Sequence, residues 1–251
     1  MQQPIITAQH LTKAFGTGQN QRRILDDVSV EIQTGEFVAI MGPSGCGKST
    51  LLFALRGLDP ADSGNLTFEG RQLANIPPKQ LSDLRRQRMG FVFQQPTMLK
   101  NLSIRDNIIL PALRDHRQDR AAITARLTEL LEQTGISHIA HNQITQASGG
   151  ELQRAGICRA LINNPAMVFG DEPTGALNSQ STKDILQLFD TIHAQGTTIL
   201  IVTHDARVAA HAQRTLFMRD GHIVSHYQRP TSTDHAAATK AIIQKMETIG
   251  I

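Results

Sequence analysis

The nine residues Gly42-Pro43-Ser44-Gly45-Cys46-Gly47-Lys48-Ser49-Thr50 constrain this chain more than any other stretch. Glycines at three of these places let the backbone turn tightly and aim several N–H groups at one anion. The string fits G-x-x-x-x-G-K-[ST], a phosphate loop, in which Lys48 reaches the β- and γ-phosphates and the Ser49 hydroxyl ligates Mg²⁺. Phe37-Val38-Ala39-Ile40-Met41 before it reads as a buried strand, and Thr50 to Leu55 after it reads as a helix. The loop is therefore predicted at a helix N-terminus, where free N–H groups and the helix dipole both favour phosphate.

The remaining composition narrows what such a chain does. At 251 residues there is room for one large domain, or one core carrying inserted lobes. Apolar residues make up 40% and charged ones 19%, a balance that suits a soluble globular protein. The formal net charge of +3 calls for no nucleic acid partner. Arg22-Arg23 and Arg85-Arg86-Gln87-Arg88 are short and lack interleaved aromatics, so they read as solvated faces or as edges that meet anionic lipid headgroups. No apolar run approaches the roughly 20 residues of a membrane span. The first residues lack the basic-then-apolar plan of a signal peptide. Cys46 and Cys158 are not at metal spacing, and reduced thiols in a cytosolic setting are expected.

Periodicity gives the outline. Ile5 to Phe15 alternate loosely, as an edge strand would, and Val28, Val30 and Ile32 alternate with polar residues as a strand with one wet face. Ser103 to Leu161 is helical in pattern, with Gly135 closing the helix that begins near Ala121. Beyond it strand and helix alternate: Ala166–Phe169, Ser179–Ala194, Thr197–Val202, Ala206–Ala212. Asp220-Gly221 marks a hairpin. Alternating β and α elements predict an α/β fold, a mostly parallel sheet with helices on both faces, interrupted by a helix-rich lobe. Residues 228–251 read as a linker and then a short helix from Asp234.

Several groups carry candidate chemistry. The strand Ala166 to Phe169 runs into Gly170-Asp171-Glu172-Pro173. At a strand end beside a phosphate loop, Asp171 is placed to hold Mg²⁺ and Glu172 to polarise an attacking water. His204 follows another strand end, where an imidazole can hydrogen-bond a γ-phosphate; His116, His138, His141 and His235 are expected at the surface. Gln94, after Phe93, is a loop side chain able to touch Mg²⁺ or water. Ala147-Ser148-Gly149-Gly150-Glu151 is a second glycine-bearing helix start. One compact chain has no need of two, so this face is expected to close on a nucleotide held by another copy, in a head-to-tail pair.

Taken together, these segments resemble the ATP-binding cassette (ABC) ATPases from about Ile5 to Tyr227. The motifs stand in the family's order: phosphate loop, Gln loop (Gln94), signature (Ala147 to Glu151), Asp-Glu strand, D-loop (Ala176-Leu177-Asn178) and switch histidine (His204). The resemblance implies a P-loop NTPase (RecA-like) core with an antiparallel β subdomain and a helical subdomain inserted at about 96–162. It implies ATP and Mg²⁺ as ligands, adenine stacked on Phe15, and metal contacts from Ser49, Gln94 and Asp171. By the same resemblance Glu172, His204 and Lys48 are expected to carry the hydrolysis. It also implies that two cassettes sandwich two ATP, so that Ser148, Gly149, Gly150 and Glu151 would meet the partner's nucleotide. Within the family, Ile40 to Gly45 and Asp171 to Leu177 look most like the macrolide-export and lipoprotein-release (MacB/LolD-like) branch. That branch implies a separate integral-membrane permease and a peripheral place on the cytoplasmic face of the membrane, in an exporter or lipoprotein-release system. The alternative is an ATP-gated clamp on a cell-envelope complex. Three positions depart from the family pattern: Ala147 for leucine, Glu151 for the terminal glutamine, and Asn178 for the D-loop aspartate.

Overall fold

The computed structural model describes residues 3–114 and 119–251, so the expectation for His116 lies outside the described residues. In chain order the elements are β1 (Pro4–Phe15), β2 (Arg22–Gln33), β3 (Phe37–Met41), α1 (Lys48–Leu55), β4 (Ser63–Phe68), β5 (Arg71–Gln72), α2 (Pro78–Arg88) and β6 (Met89–Val92). Then follow α3 (Ile104–Leu113), α4 (Arg120–Gln133), α5 (Gly149–Leu161), β7 (Met167–Asp171) and α6 (Ser179–Ala194). The chain ends with β8 (Thr198–Val202), α7 (Ala206–Ala209), β9 (Arg214–Arg219), β10 (His222–Gln228) and α8 (His235–Thr248). Two compact units emerge, one of Met1–Ser82 with Thr198–Ile251 and one of Asp83–Thr197.

The first unit holds an antiparallel sheet in the order β2–β1–β4–β5. Here β1 is paired on both sides, by β2 and by β4, which corrects the expectation of an edge strand. Its alternation is loose because the register slips between Ala8 and Leu11, around His10 at φ 55. Val28, Val30 and Ile32 of β2 are buried while Ser29 and Glu31 stay exposed, as the period-two pattern requires.

The same unit carries the strands β10–β9–β3–β8. β3 runs parallel to both β8 and β9, and all five residues of β3 and of β8 are buried. Such unbroken apolar strands belong to a parallel sheet covered on both faces. The β9–β10 hairpin turns at Asp220 and Gly221, both at positive φ (48 and 82), the signature of a type I′ turn. Arg214 on β9 makes a two-pronged ion pair with Glu36 at the start of β3, Nε to Oε1 at 2.7 Å and Nη2 to Oε2 at 2.9 Å. The tail forms α8, capped by Asp234, with Ala238 and Ile242 buried. His235, expected at the surface, is half-buried with its ring centroid 3.9 Å from that of His211.

In the second unit β6 pairs parallel with β7, Met89 opposite Met167 through Val92 opposite Gly170. Helices α3 to α6 account for most of the rest. Ile123, Leu127, Leu130 and Leu131 form the buried stripe of α4, and Gly135 at φ 67 lies just beyond its end. Cys158 lies in this core beside Thr134 Oγ1 at 3.2 Å, and burial pushes its thiol up to about 12, an unreactive state. The run Arg85–Arg88, expected as a solvated face or an edge that meets anionic lipid headgroups, forms the last turn of α2, with Gln87 and Arg88 exposed and Arg85 and Arg86 partly covered. Arg86 pairs with Asp83 at 2.7 Å with most of its side chain covered, and Arg85 and Arg86 help to line a groove of about 490 Å³. Among the described residues, no helix is long and apolar enough to cross a membrane.

Candidate nucleotide site

β3 ends at Met41 and α1 begins at Lys48, with the phosphate loop between them. The glycines have separate reasons to be there. A Cβ on Gly42 would stand 2.1 Å from the Met218 carbonyl oxygen, and one on Gly47 would stand 2.6 Å from that of Ile24. The loop is thus seated directly on β9 and β2. Gly45, at φ 78, meets nothing within 4 Å and faces open space. Lys48 is buried, its Nζ donating to the carbonyls of Gly42 and Pro43, each at 2.8 Å. This folds the ammonium back over the loop it serves. Cys46 is buried in the same loop, and burial raises its thiol pKa.

Helix caps set the start of α1 apart from the six helices α3 to α8. Helices α3, α4, α5, α6, α7 and α8 each have a side chain that accepts from a first-turn N–H: Ser103, Asp119, Ser148, Asn178, Asp205 and Asp234. The N-cap of α1 is Gly47, in the left-handed conformation and without a side-chain cap. A helix start that lacks its own acceptor, beside a buried lysine and positive-φ glycines, fits an anion.

β8 lies alongside β3 in parallel register, Ile40 opposite Val202, and Thr203 N–H continues the ladder to the Ile40 carbonyl at 3.0 Å. His204 therefore leaves the sheet at the same end as the phosphate loop, and it is exposed. Phe15, at the end of β1, is 47% exposed, with Lys13 Nζ 5.4 Å from its ring centroid. An exposed aromatic with a cation beside it is suited to stacking a planar ring.

In the second unit the parallel pairing of β6 and β7 delivers three candidates to one sheet end: Gln94 after β6, Asp171 at the end of β7 and Glu172 just beyond it. Glu172 sits at φ 46, a left-handed backbone that costs a non-glycine residue about 1 kcal/mol or more. Gln94 lies against the turn that follows, since a Cβ on Gly175 would be 2.9 Å from its Nε2. One residue here was not foreseen. Gln153 on α5 is 1% exposed, and its Nε2 donates to the Phe93 carbonyl at 2.9 Å and the Pro173 carbonyl at 2.7 Å. It ties the backbone just before Gln94 to the backbone just after Glu172. The only hint in the sequence is a glutamine on the apolar face of α5.

Ser148 caps α5, and Glu151 closes a capping box back onto it: Glu151 Oε2 accepts from Ser148 N at 2.8 Å and from Ser148 Oγ at 2.7 Å. These bonds hold the Glu151 carboxyl below the usual carboxylate range, with burial opposing and His138 assisting. Gly150 is needed for packing, because a Cβ there would be 2.8 Å from Ser181 Oγ on α6. Gly149 meets nothing within 4 Å. Asn178 caps α6, accepting from Ser181 N at 2.8 Å, a task asparagine performs as well as the aspartate it replaces.

With the geometry established, comparison with known proteins is direct. A family model for ABC transporters matches residues 25–175. The macrolide export ATP-binding/permease protein MacB of Neisseria meningitidis is 41% identical over 221 residues, which are 88% of this chain and 34% of the relative. The protein of the same name from Psychrobacter cryohalolentis is 39% identical over 242 residues, 96% of this chain and 36% of the relative. This chain spans about a third of the length of the curated relatives it matches. Among solved structures, the ATP-binding cassette MJ0796 in a dimeric post-hydrolysis state with ADP and Pi superposes with a TM-score of 0.83. It is 33% identical, and the match covers 90% of this chain and 99% of that one. The fold is that of the cassettes, a P-loop NTPase core, and the chain belongs to the ABC transporter family as a cassette ATPase of the MacB/LolD type.

Proposed function

We propose that residues 5–227 form a nucleotide-binding domain that pairs head to tail with a second copy, or a homologous cassette, around two Mg·ATP. Gly149 carries the reading. A glycine in a helix gives up stability relative to alanine, most in the interior; Gly149 is not at a positive φ, and, its own helix backbone and chain neighbours aside, no atom of the described residues lies within 4 Å of where its Cβ would stand. A surface left open for close approach by something outside the chain explains it. The relative MJ0796 forms a dimer with ADP and Pi, which supports the same reading here.

In that pair, the Lys48 ammonium and the His204 imidazole donate to the γ-phosphate, and N–H groups of Gly42 to Thr50 cradle the phosphate chain. Ser148, Gly149, Gly150 and Glu151 close on the nucleotide of the partner, and Phe15 stacks on the base. Glu172 accepts a proton from the attacking water. Ser49, Gln94 and Asp171 offer the hydroxyl, amide and carboxylate oxygens that a hard cation requires, and bound Mg²⁺ would neutralise charge between the β- and γ-phosphates. The donors are a hydroxyl in the first turn of α1, an amide after β6 and a carboxylate at the end of β7, the oxygen chemistry that this ion takes.

The matched relatives combine ATP-binding and permease parts in one name. We assign this chain the task of driving an integral-membrane permease from the cytoplasmic face, in export or lipoprotein release. The groove in the second unit supports the assignment: lined by the apolar Phe91, Leu110 and Pro111 and by Arg85, Arg114 and Arg159, it suits a short acidic, amphipathic segment of that permease.

Gly149→Ala tests the pairing. Its denaturation midpoint is expected to stay level or to rise by up to about 1 kcal/mol, because alanine is the better helix former. ATP-induced pairing and turnover should both fall on the order of tenfold, about 1.4 kcal/mol of lost closure. An alanine variant that pairs and turns over like the parent removes Gly149 from the interface.

A further inference from the structure

The family glutamine at the end of the signature is a glutamate here, and a carboxylate at this place has a cost that the structure addresses. Glu151 lies in the first turn of α5, beside Ser148, whose hydroxyl and N–H it holds. If this end of α5 faces a γ-phosphate, the carboxylate places like charge next to like charge. It also competes with the phosphate for the Ser148 hydroxyl.

We propose that His138 is a positioning residue for the signature, holding Glu151 and cancelling its charge so that the start of α5 can accept a nucleotide's phosphate. This rests on the head-to-tail reading given above. His138 lies in the turn Ser137–Ile139 that follows α4. Its Nε2 is 3.1 Å from Glu151 Oε1, the oxygen that Ser148 leaves unused. The imidazole is 65% exposed and the carboxylate 19%. The histidine is thus open to solvent protons, while the acid it serves is largely covered.

The pairing is selective. Among the described residues, Glu151 is the charged group in ionic contact with His138, and His138 the cation in contact with Glu151. Arg154, one turn along α5, is directed to Asp184 at 3.8 Å. On α4, Glu129 is paired with Arg126 at 2.8 Å. Glu132 on α4 and His141 after the turn make no ionic contact among the described residues. The charge at this end of α5 is therefore set by the Glu151–His138 pair.

An imidazole changes charge between about pH 5 and 8. With the imidazole protonated the pair is neutral overall, and phosphate meets only the helix donors. With it neutral, the carboxylate is uncompensated. ATP affinity gains from His138 at low pH, and the gain fades as pH rises.

The test uses the full chain and the variants His138→Gln, Glu151→Gln and the double variant, with the KM for Mg·ATP measured at pH 6.0 and 8.5. Taking the ratio of variant to parent at each pH cancels the titration of the nucleotide itself. The His138→Gln ratio is expected to be about two- to fivefold at pH 6.0, the size of a partly exposed ion pair, and near one at pH 8.5. With Glu151→Gln as the background, replacing His138 should change KM at neither pH. A ratio that does not depend on pH, or one that persists in the double variant, overturns the inference and leaves the pairing intact. A parent chain that stays monomeric with Mg·ATP overturns both, and sedimentation of the parent separates the two failures.

Discussion

Glu172→Gln is expected to bind Mg·ATP as the parent does and to hydrolyse it some hundreds of times more slowly. Glutamine keeps the shape and a hydrogen-bonding oxygen but cannot accept the proton of the attacking water, and loss of a general base costs about 10²–10⁴ in rate. The backbone gives this prediction a second part. Glu172 is held at φ 46, where glycine sits without strain. Glu172→Gly removes that backbone strain, about 1 kcal/mol, and should lose hydrolysis to the same degree. A non-glycine residue kept at a strained place is kept for its side chain. Single-turnover hydrolysis and urea denaturation of the two variants check both parts. Unchanged turnover in Glu172→Gln takes the residue out of the reaction.

Gly42→Ala is expected to destabilise the first unit by about 3 kcal/mol or more, the upper range for overpacking. The new Cβ would lie 2.1 Å from the Met218 carbonyl oxygen and 2.8 Å from Cys46 Sγ, and the first of these is backbone of a paired strand. Relief requires β3 and β9 to separate where Met41 faces Phe217. Gly45→Ala, in the same loop, meets no atom within 4 Å and bears only the cost of its positive φ, on the order of 1 kcal/mol. Denaturation midpoints should rank parent, Gly45→Ala, Gly42→Ala. Equal midpoints for the two alanine variants would show that the loop is not seated on β9 in the way described.

What the sequence made legible was local. The strand–loop–helix at Phe37–Leu55 follows from a glycine and lysine pattern read within one turn of chain, and the α8 cap at Asp234 from the residues around it. The Asp220-Gly221 hairpin is local for the same reason. What escaped depends on partners far along the chain. The status of β1 is set by two neighbours that its own alternation, broken by a bulge at His10, does not report. Gln153 is significant only because its two acceptors, 60 and 20 residues away, flank Gln94 and Glu172. The partial cover over Arg85 and Arg86 could not be read, because the groove they line is built from residues elsewhere in the chain. For the candidate site, residue types and strand ends could be read directly. That α1 starts without a side-chain cap, and that Gly149 has neither a positive φ nor a close neighbour, could not, because both depend on what surrounds a position in space.

The central claim is that each chain holds half of every pocket and that Mg·ATP joins two of them. Sedimentation of Glu172→Gln with saturating Mg·ATP measures this most directly, because trapped nucleotide removes turnover from the question. The account expects a species of about 55 kDa, twice the 27.5 kDa chain, that returns to single chains when ADP replaces ATP. A protein that stays at 27.5 kDa with nucleotide fully bound contradicts it.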